Sequence, residues 1–268
     1  MGEDVIFSED NSTWYLTCMG SHKVIVGSVK TDQIKQIIDL PAIYPHGLAV
    51  HSGIDRILTT STVRASDLGD PGELITVIQK STGKVIGSIK VSNKASPSSV
   101  APVEVLFVPG ASPPVAYVTN MFGGSLWTLP WNASTQNFDA AEAFDFGTIK
   151  AGVPLEIYFN DPVTRMYVTT AKPGHMHIFD ISGAPAKPKL LKSLATGEGV
   201  HHIAFTKDWK LAFVQNTLLN LPGMSEGNVT VIDLETQKVV AQIDTLQKAG
   251  YNPNLIVLLP EWNSLAGH

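Results

Sequence analysis

Three carboxylates (Asp4, Glu104 and Glu156), one or more imidazoles and two carboxamides are the groups of this 268-residue sequence best placed to act together. Glu104 and Glu156 each stand two residues after a proline, in Pro102-Val-Glu and Pro154-Leu-Glu. His201 and His202 stand at the corresponding point of Val200-His-His, and Asn120 and Asn216 end later apolar runs of the same segments. Carboxylates gathered at one place repel each other, and a bound cation is the usual means of keeping them charged. Oxygen donors of the Glu and Asn kind suit Ca²⁺ or another hard divalent cation, whereas several imidazoles favour a transition metal. An imidazole titrates near neutral pH, so His202 or His201 could instead be a general base. The alternative is purely structural: Glu104 and Glu156 cap the amides of the strands they begin.

Other chemistries find no support. There is no Gly-X-Ser-X-Gly elbow, His-Glu-X-X-His, P-loop or haem-attachment motif. Cys18 stands alone, so neither an intrachain disulfide nor a cysteine metal cluster can form. Net charge of −5 without a Lys/Arg cluster argues against nucleic acid as a partner. No stretch approaches the roughly 20 apolar residues of a spanning helix. Met1 leads into Gly-Glu-Asp with no basic or apolar leader region, although a mature form of periplasmic or secreted origin would read the same way. With 44% apolar and 16% charged residues, the composition predicts a soluble globular chain rich in stacked sheet.

The elements that must position these groups recur. A short apolar strand, a polar turn and a second strand appear as Asp4–Phe7 with Trp14–Cys18, and Pro45–Val50 with Ile57–Ser61. They return as Pro102–Phe107 with Ala116–Asn120, Pro154–Phe159 with Met166–Thr170, and Val200–Phe205 with Ala212–Asn216. A sixth inner strand begins at Pro253. Phe7, Val50, Phe107, Phe159, Phe205 and Leu258 fall 43 to 57 residues apart, the period of a four-stranded propeller blade. Third and fourth strands show as hairpins, Leu74–Gln79 with Lys84–Lys90 and Gly227–Asp233 with Lys238–Asp244. Asp180 and Asp233 end third strands and should bond turn amides. Only Asp139–Phe144 carries any helical signal. The fold class expected is all-β: a single β-propeller domain over residues 1–268, with five full blades plus one extra inner strand. Either the ring closes with five or six blades, or an N-terminal portion of a larger propeller is missing.

Tyr117-Val-Thr-Asn120, Val229-Thr-Val-Ile-Asp233 and Pro45-His-Gly-Leu-Ala resemble the repeats of the YVTN and lactonase-type β-propeller families. The resemblance spans the chain and implies the fold more strongly than the function, since such propellers host enzymes, redox proteins and scaffolds. In a propeller the starts of first strands and ends of second strands gather at one channel mouth. That places Glu104, Glu156, Asn120 and Asn216 as metal ligands and His202 or His201 as the base. His46, His175, Leu218, Leu219 and Met121 would line the mouth, where a small-molecule substrate with an apolar portion could bind. The function expected is divalent-metal-dependent opening of a lactone, with acyl-homoserine lactones fitting the apolar loop Thr217–Met224. A non-enzymatic binding propeller and a copper or other transition-metal redox protein are the alternatives, and metal analysis separates all three.

Overall fold

The computed structural model describes residues 2–257, almost all of it antiparallel sheet. The first sheet runs β1 (Gly2–Phe7), β2 (Thr13–Cys18), β3 (Lys23–Ser28), β4 (Ile34–Asp39), hydrogen-bonded in that order. The second repeats the order with β5 (Pro45–His51), β6 (Arg56–Ser61), β7 (Leu74–Gln79) and β8 (Lys84–Lys90). In the third, β9 (Pro102–Phe107), β10 (Val115–Asn120) and β11 (Ser125–Asn132) are followed by two short strands, β12 (Asn137–Phe138) and β13 (Ala141–Asp145), both pairing β11. The fourth holds β14 (Pro154–Phe159), β15 (Arg165–Ala171), β16 (Gly174–Asp180) and β17 (Lys189–Ala195). The fifth holds β18 (Val200–Phe205), β19 (Leu211–Thr217), β20 (Ser225–Asp233) and β21 (Lys238–Ile243). Among the described residues helix is limited to three 3-10 turns and α1 (Thr245–Lys248).

The all-β expectation holds, and three of the five inner strands have the bounds expected. Asp180 and Asp233 do accept turn amides, from Ser182 and Thr236. Two expectations fail. Asp139–Phe144 is not helical; its last four residues belong to β13, because a run this short cannot offset helix nucleation and an open edge of β11 offers a ladder instead. Residues 253–257 form no strand, and Leu258 lies outside the described residues.

The chain divides into two compact units, one ending at Phe144 and one starting at Asp145. In the first, the middle sheet is buried on both faces. Ile57 of β6 enters the core shared with Tyr15, Val24 and Val26, while its neighbour Leu58 enters the core shared with Val105, Val118 and Trp127. Successive strand residues face opposite ways, so a sheet covered on both sides needs apolar residues in runs. In the second unit Met176, Ile178, Ile203, Val214 and Ile232 form one core between the two sheets. The last strand of the fifth sheet has no such cover, and every residue of β21 is exposed.

All five inner strands carry the same β-bulge. Residues 3 and 4 together oppose Thr17, 46 and 47 oppose Thr60, and 103 and 104 oppose Thr119. Likewise 155 and 156 oppose Thr169, and 201 and 202 oppose Gln215. A bulge removes one amide from the ladder, and here the opposing side chain accepts it. Asp4, Gly47, Glu104 and Glu156 donate their backbone N–H to Thr17, Thr60, Thr119 and Thr169 at 2.8–3.2 Å, and His202 donates to Gln215 Oε1 at 3.1 Å. In the first unit the same threonines reach the next sheet: Thr17 donates to His46 O and Thr60 to Val103 O, both at 2.8 Å. Gly47 allows that approach, since a Cβ there would lie 2.4 Å from Val103 O. Thr60→Val should therefore orphan one buried donor and one buried acceptor and cost about 1–3 kcal/mol. Urea denaturation checks this, and an unshifted midpoint would mean the hydroxyl is dispensable.

Candidate metal centre

Adjacent strand residues ordinarily point to opposite faces, yet the rings of His201 and His202 lie 3.8 Å apart between centroids with planes at 37°. The bulge in β18 is the cause. Two residues stand against Gln215 alone, and a bulge of this kind re-aims a side chain that regular pleating would send away. The equivalent bulge in β14 carries Glu156, whose Oε1 lies 3.2 Å from His201 Nε2. One ligand atom from each of Glu156, His201 and His202 falls within 4.8 Å of the others. The Glu156 and His201 side chains are only 1% and 12% exposed, and His202 is buried. His201 Nδ1 is buried without a hydrogen-bond partner. Behind the rings, Gln215 accepts from His202 N while its own amide donates to Thr217 O and Pro253 O, both at 2.5 Å.

Burying a carboxylate is costly unless opposite charge accompanies it. The cluster could therefore hold a metal ion: one anionic oxygen and two imidazole nitrogens, presented by two strands that the core already fixes. Divalent ions of the zinc group take this kind of donor set.

Of the four ligands expected from the sequence, Glu156 alone belongs to this cluster, and the two histidines expected as bases complete it. Glu104 lies in the first unit, where its Oε1 accepts from Val105 N at 2.9 Å. Asn120, also there, donates to Val91 O at 2.7 Å and to Ser125 Oγ at 3.3 Å. Asn216 is in the second unit but turns into its own sheet, donating to Asn228 Oδ1 at 2.5 Å and Thr230 Oγ1 at 2.9 Å. Among the groups expected to line a mouth, Met121 and Leu218 are buried, Leu219 is half exposed, and the backbone carbonyl of His46 accepts from Thr17.

His175 lies at hydrogen-bond distance from Pro173 O and stacks on His177, with centroids 5.6 Å apart. His177 itself is fully buried between Thr170 Oγ1 at 3.0 Å and Ser193 Oγ at 2.8 Å, with Phe146 against its ring. Burial, with a smaller contribution from the neighbouring His175, pushes its pKa down to about 3. Its alternation with His175 was legible in the sequence; its burial was not.

No protein-family model matches this sequence, and no curated protein matches it. Among the described residues no helix is long and apolar enough to cross a membrane.

Proposed function

We propose that this chain is a β-propeller protein of the YVTN and lactonase type whose Glu156, His201 and His202 hold a divalent transition metal used to open a lactone ring. The propeller reading is supported by five consecutive sheets, each four strands deep in chain order, and by a bulge repeated in every inner strand. The single observation that carries the metal is the convergence of three donor atoms within 4.8 Å from two strands. Two imidazoles and a carboxylate are the protein ligands of zinc in several hydrolases, so Ca²⁺, which favours six to eight oxygens, is the weaker fit. When bound, such an ion supplies a Lewis acid for the ring carbonyl and a water of pKa about 7. Glu156 contributes the charge that balances the cation, and the two rings fix its position. As ligands, His201 and His202 are not available as general bases, a change from the role their sequence context suggested. The lactone as substrate rests on the repeat resemblance.

Metal analysis of the purified chain, joined to a panel of short-chain, long-chain and sugar lactones, tests this. One equivalent of a zinc-group metal and hydrolysis abolished by chelator and restored by Zn²⁺ is the expected result. Turnover indifferent to chelator would remove the metal from the mechanism. Bound metal without hydrolysis would favour a second reading, a structural ion tying β14 to β18 in a binding module, for which the burial of all three ligands speaks.

A further inference from the structure

Residues opposite one another in register share a face of a sheet, and the first sheet has two apolar faces. Ile6, Tyr15, Val24, Val26 and Ile38 lie on the face that packs against the second sheet. On the other face Val5 stands opposite Leu16 and Phe7 opposite Trp14, Leu16 then opposite Ile25, and Ile25 opposite Ile37. The Trp14 ring lies over Gly27, where a Cβ would come within 2.0 Å of it, so the ring follows the sheet instead of standing off it. The bulge fixes which positions correspond between sheets. The residue after the bulge is Val5 in β1, Leu48 in β5 and Ile203 in β18. Leu48 and Ile203 are 0% and 2% exposed, each in the core shared with the sheet before it. Val5 is 43% exposed and Phe7, two residues on, is 54% exposed. An apolar surface running across four strands is large for one left to solvent, and such patches mark interaction sites.

We propose that this face is where two copies of the chain pair about a twofold axis, first sheet against first sheet. The inference is independent of the metal site. Three observations define the occupant. The corresponding positions of the second and fifth sheets pack on another antiparallel sheet, so the surface suits a partner of that kind. Among the residues paired across this face only Lys23 and Asp39 are charged, and they form an ion pair with each other, so two copies of the face meet without net repulsion. The far side of the fifth sheet, where a head-to-tail copy would dock, is already occupied. Val231 there, on the opposite face from the core residue Ile232, is buried, and Gln247 of α1 donates to Glu226 O at 2.6 Å. An interface that uses one patch twice closes at a dimer, with the two sheets about 10 Å apart and their side chains interdigitated.

Sedimentation equilibrium of the whole chain in chelator, from about 1 to 200 μM, tests this. The expected result is a reversible monomer–dimer equilibrium whose mass stops at two chains. Phe7→Asp should raise the dissociation constant at least about 100-fold, because a twofold interface buries the new charge twice. Ile37→Lys should do the same from the outer strand, and it reads the same face should Phe7→Asp fail to fold. Val240→Asp, at an exposed apolar position of β21, should leave the constant within about threefold. A wild type that stays monomeric up to 200 μM would overturn the pairing and assign the face to a different protein. Mass that keeps growing beyond two chains would overturn the twofold arrangement. A dimer that survives both Phe7→Asp and Ile37→Lys would place the interface elsewhere and overturn the proposal.

Discussion

Glu156→Gln is expected to weaken Zn²⁺ binding by at least about 100-fold, above the 10–100-fold that outer-shell partners contribute. The amide keeps the shape of the side chain and loses the charge, and in a site this buried little solvent is present to take over the balancing of a dication. His202→Ala and His201→Ala should lose as much, each by deleting a nitrogen donor. His46→Ala is the control. His46 stands at the first bulge position of β5, as His201 does in β18, but its bulge partner is Gly47 and it is not part of the cluster. Its substitution should leave the affinity within about threefold, because two of the three donors come from one bulge and no second bulge supplies a pair of rings. Isothermal titration of chelator-stripped protein reads all four variants. Equal losses in His46→Ala and His201→Ala would place the ion elsewhere.

Acid should destabilise the second unit through His177 well before carboxylates matter. Its folded-state pKa of about 3 lies below the ordinary imidazole value of about 6.5, so the unfolded chain takes up the proton first. The stabilisation is thus fully present above about pH 6.5 and is lost as pH falls toward 3, at about 1.4 kcal/mol per unit. Between pH 6.5 and 4.5 the loss is roughly 2–3 kcal/mol from this residue. Low-pKa carboxylates such as Asp10 and Glu73, both held down to about 2 chiefly by side-chain hydrogen bonds from serines, add their own losses further down the scale. Urea denaturation in chelator at pH 7, 5.5 and 4.5 isolates the effect when wild type and His177→Gln are compared. The variant retains a neutral hydrogen-bonding side chain between Thr170 and Ser193 at every pH. Its disadvantage at pH 7 should therefore shrink by about that amount at pH 4.5. A stability difference constant across the range would show that His177 is protonated as easily folded as unfolded.

The strands and hairpins were legible in the sequence because each depends on a period of two within one segment, and the repeat because those segments recur along the chain. Leu74–Gln79 and Lys84–Lys90 alternate β-branched residues on either side of a Ser-Thr-Gly turn, and the observed strands have those bounds. Aligning the repeats also puts Asp4, Gly47, Glu104, Glu156, His202 and Leu255 in one column. Its first five members are each the second residue of a bulge, whereas Leu255 lies in no strand. What each member does was not legible. Asp4 and Glu104 cap amides, Gly47 lets two backbones meet, and Glu156 and His202 face a common point with His201. A strand's period is a property of its own residues, whereas a bulge is an offset in pairing between two strands. What Glu156 meets depends further on which sheet packs next to it. Only the tertiary structure decides such contacts, since they are made by residues about 45 positions apart whose separation in space no local pattern encodes.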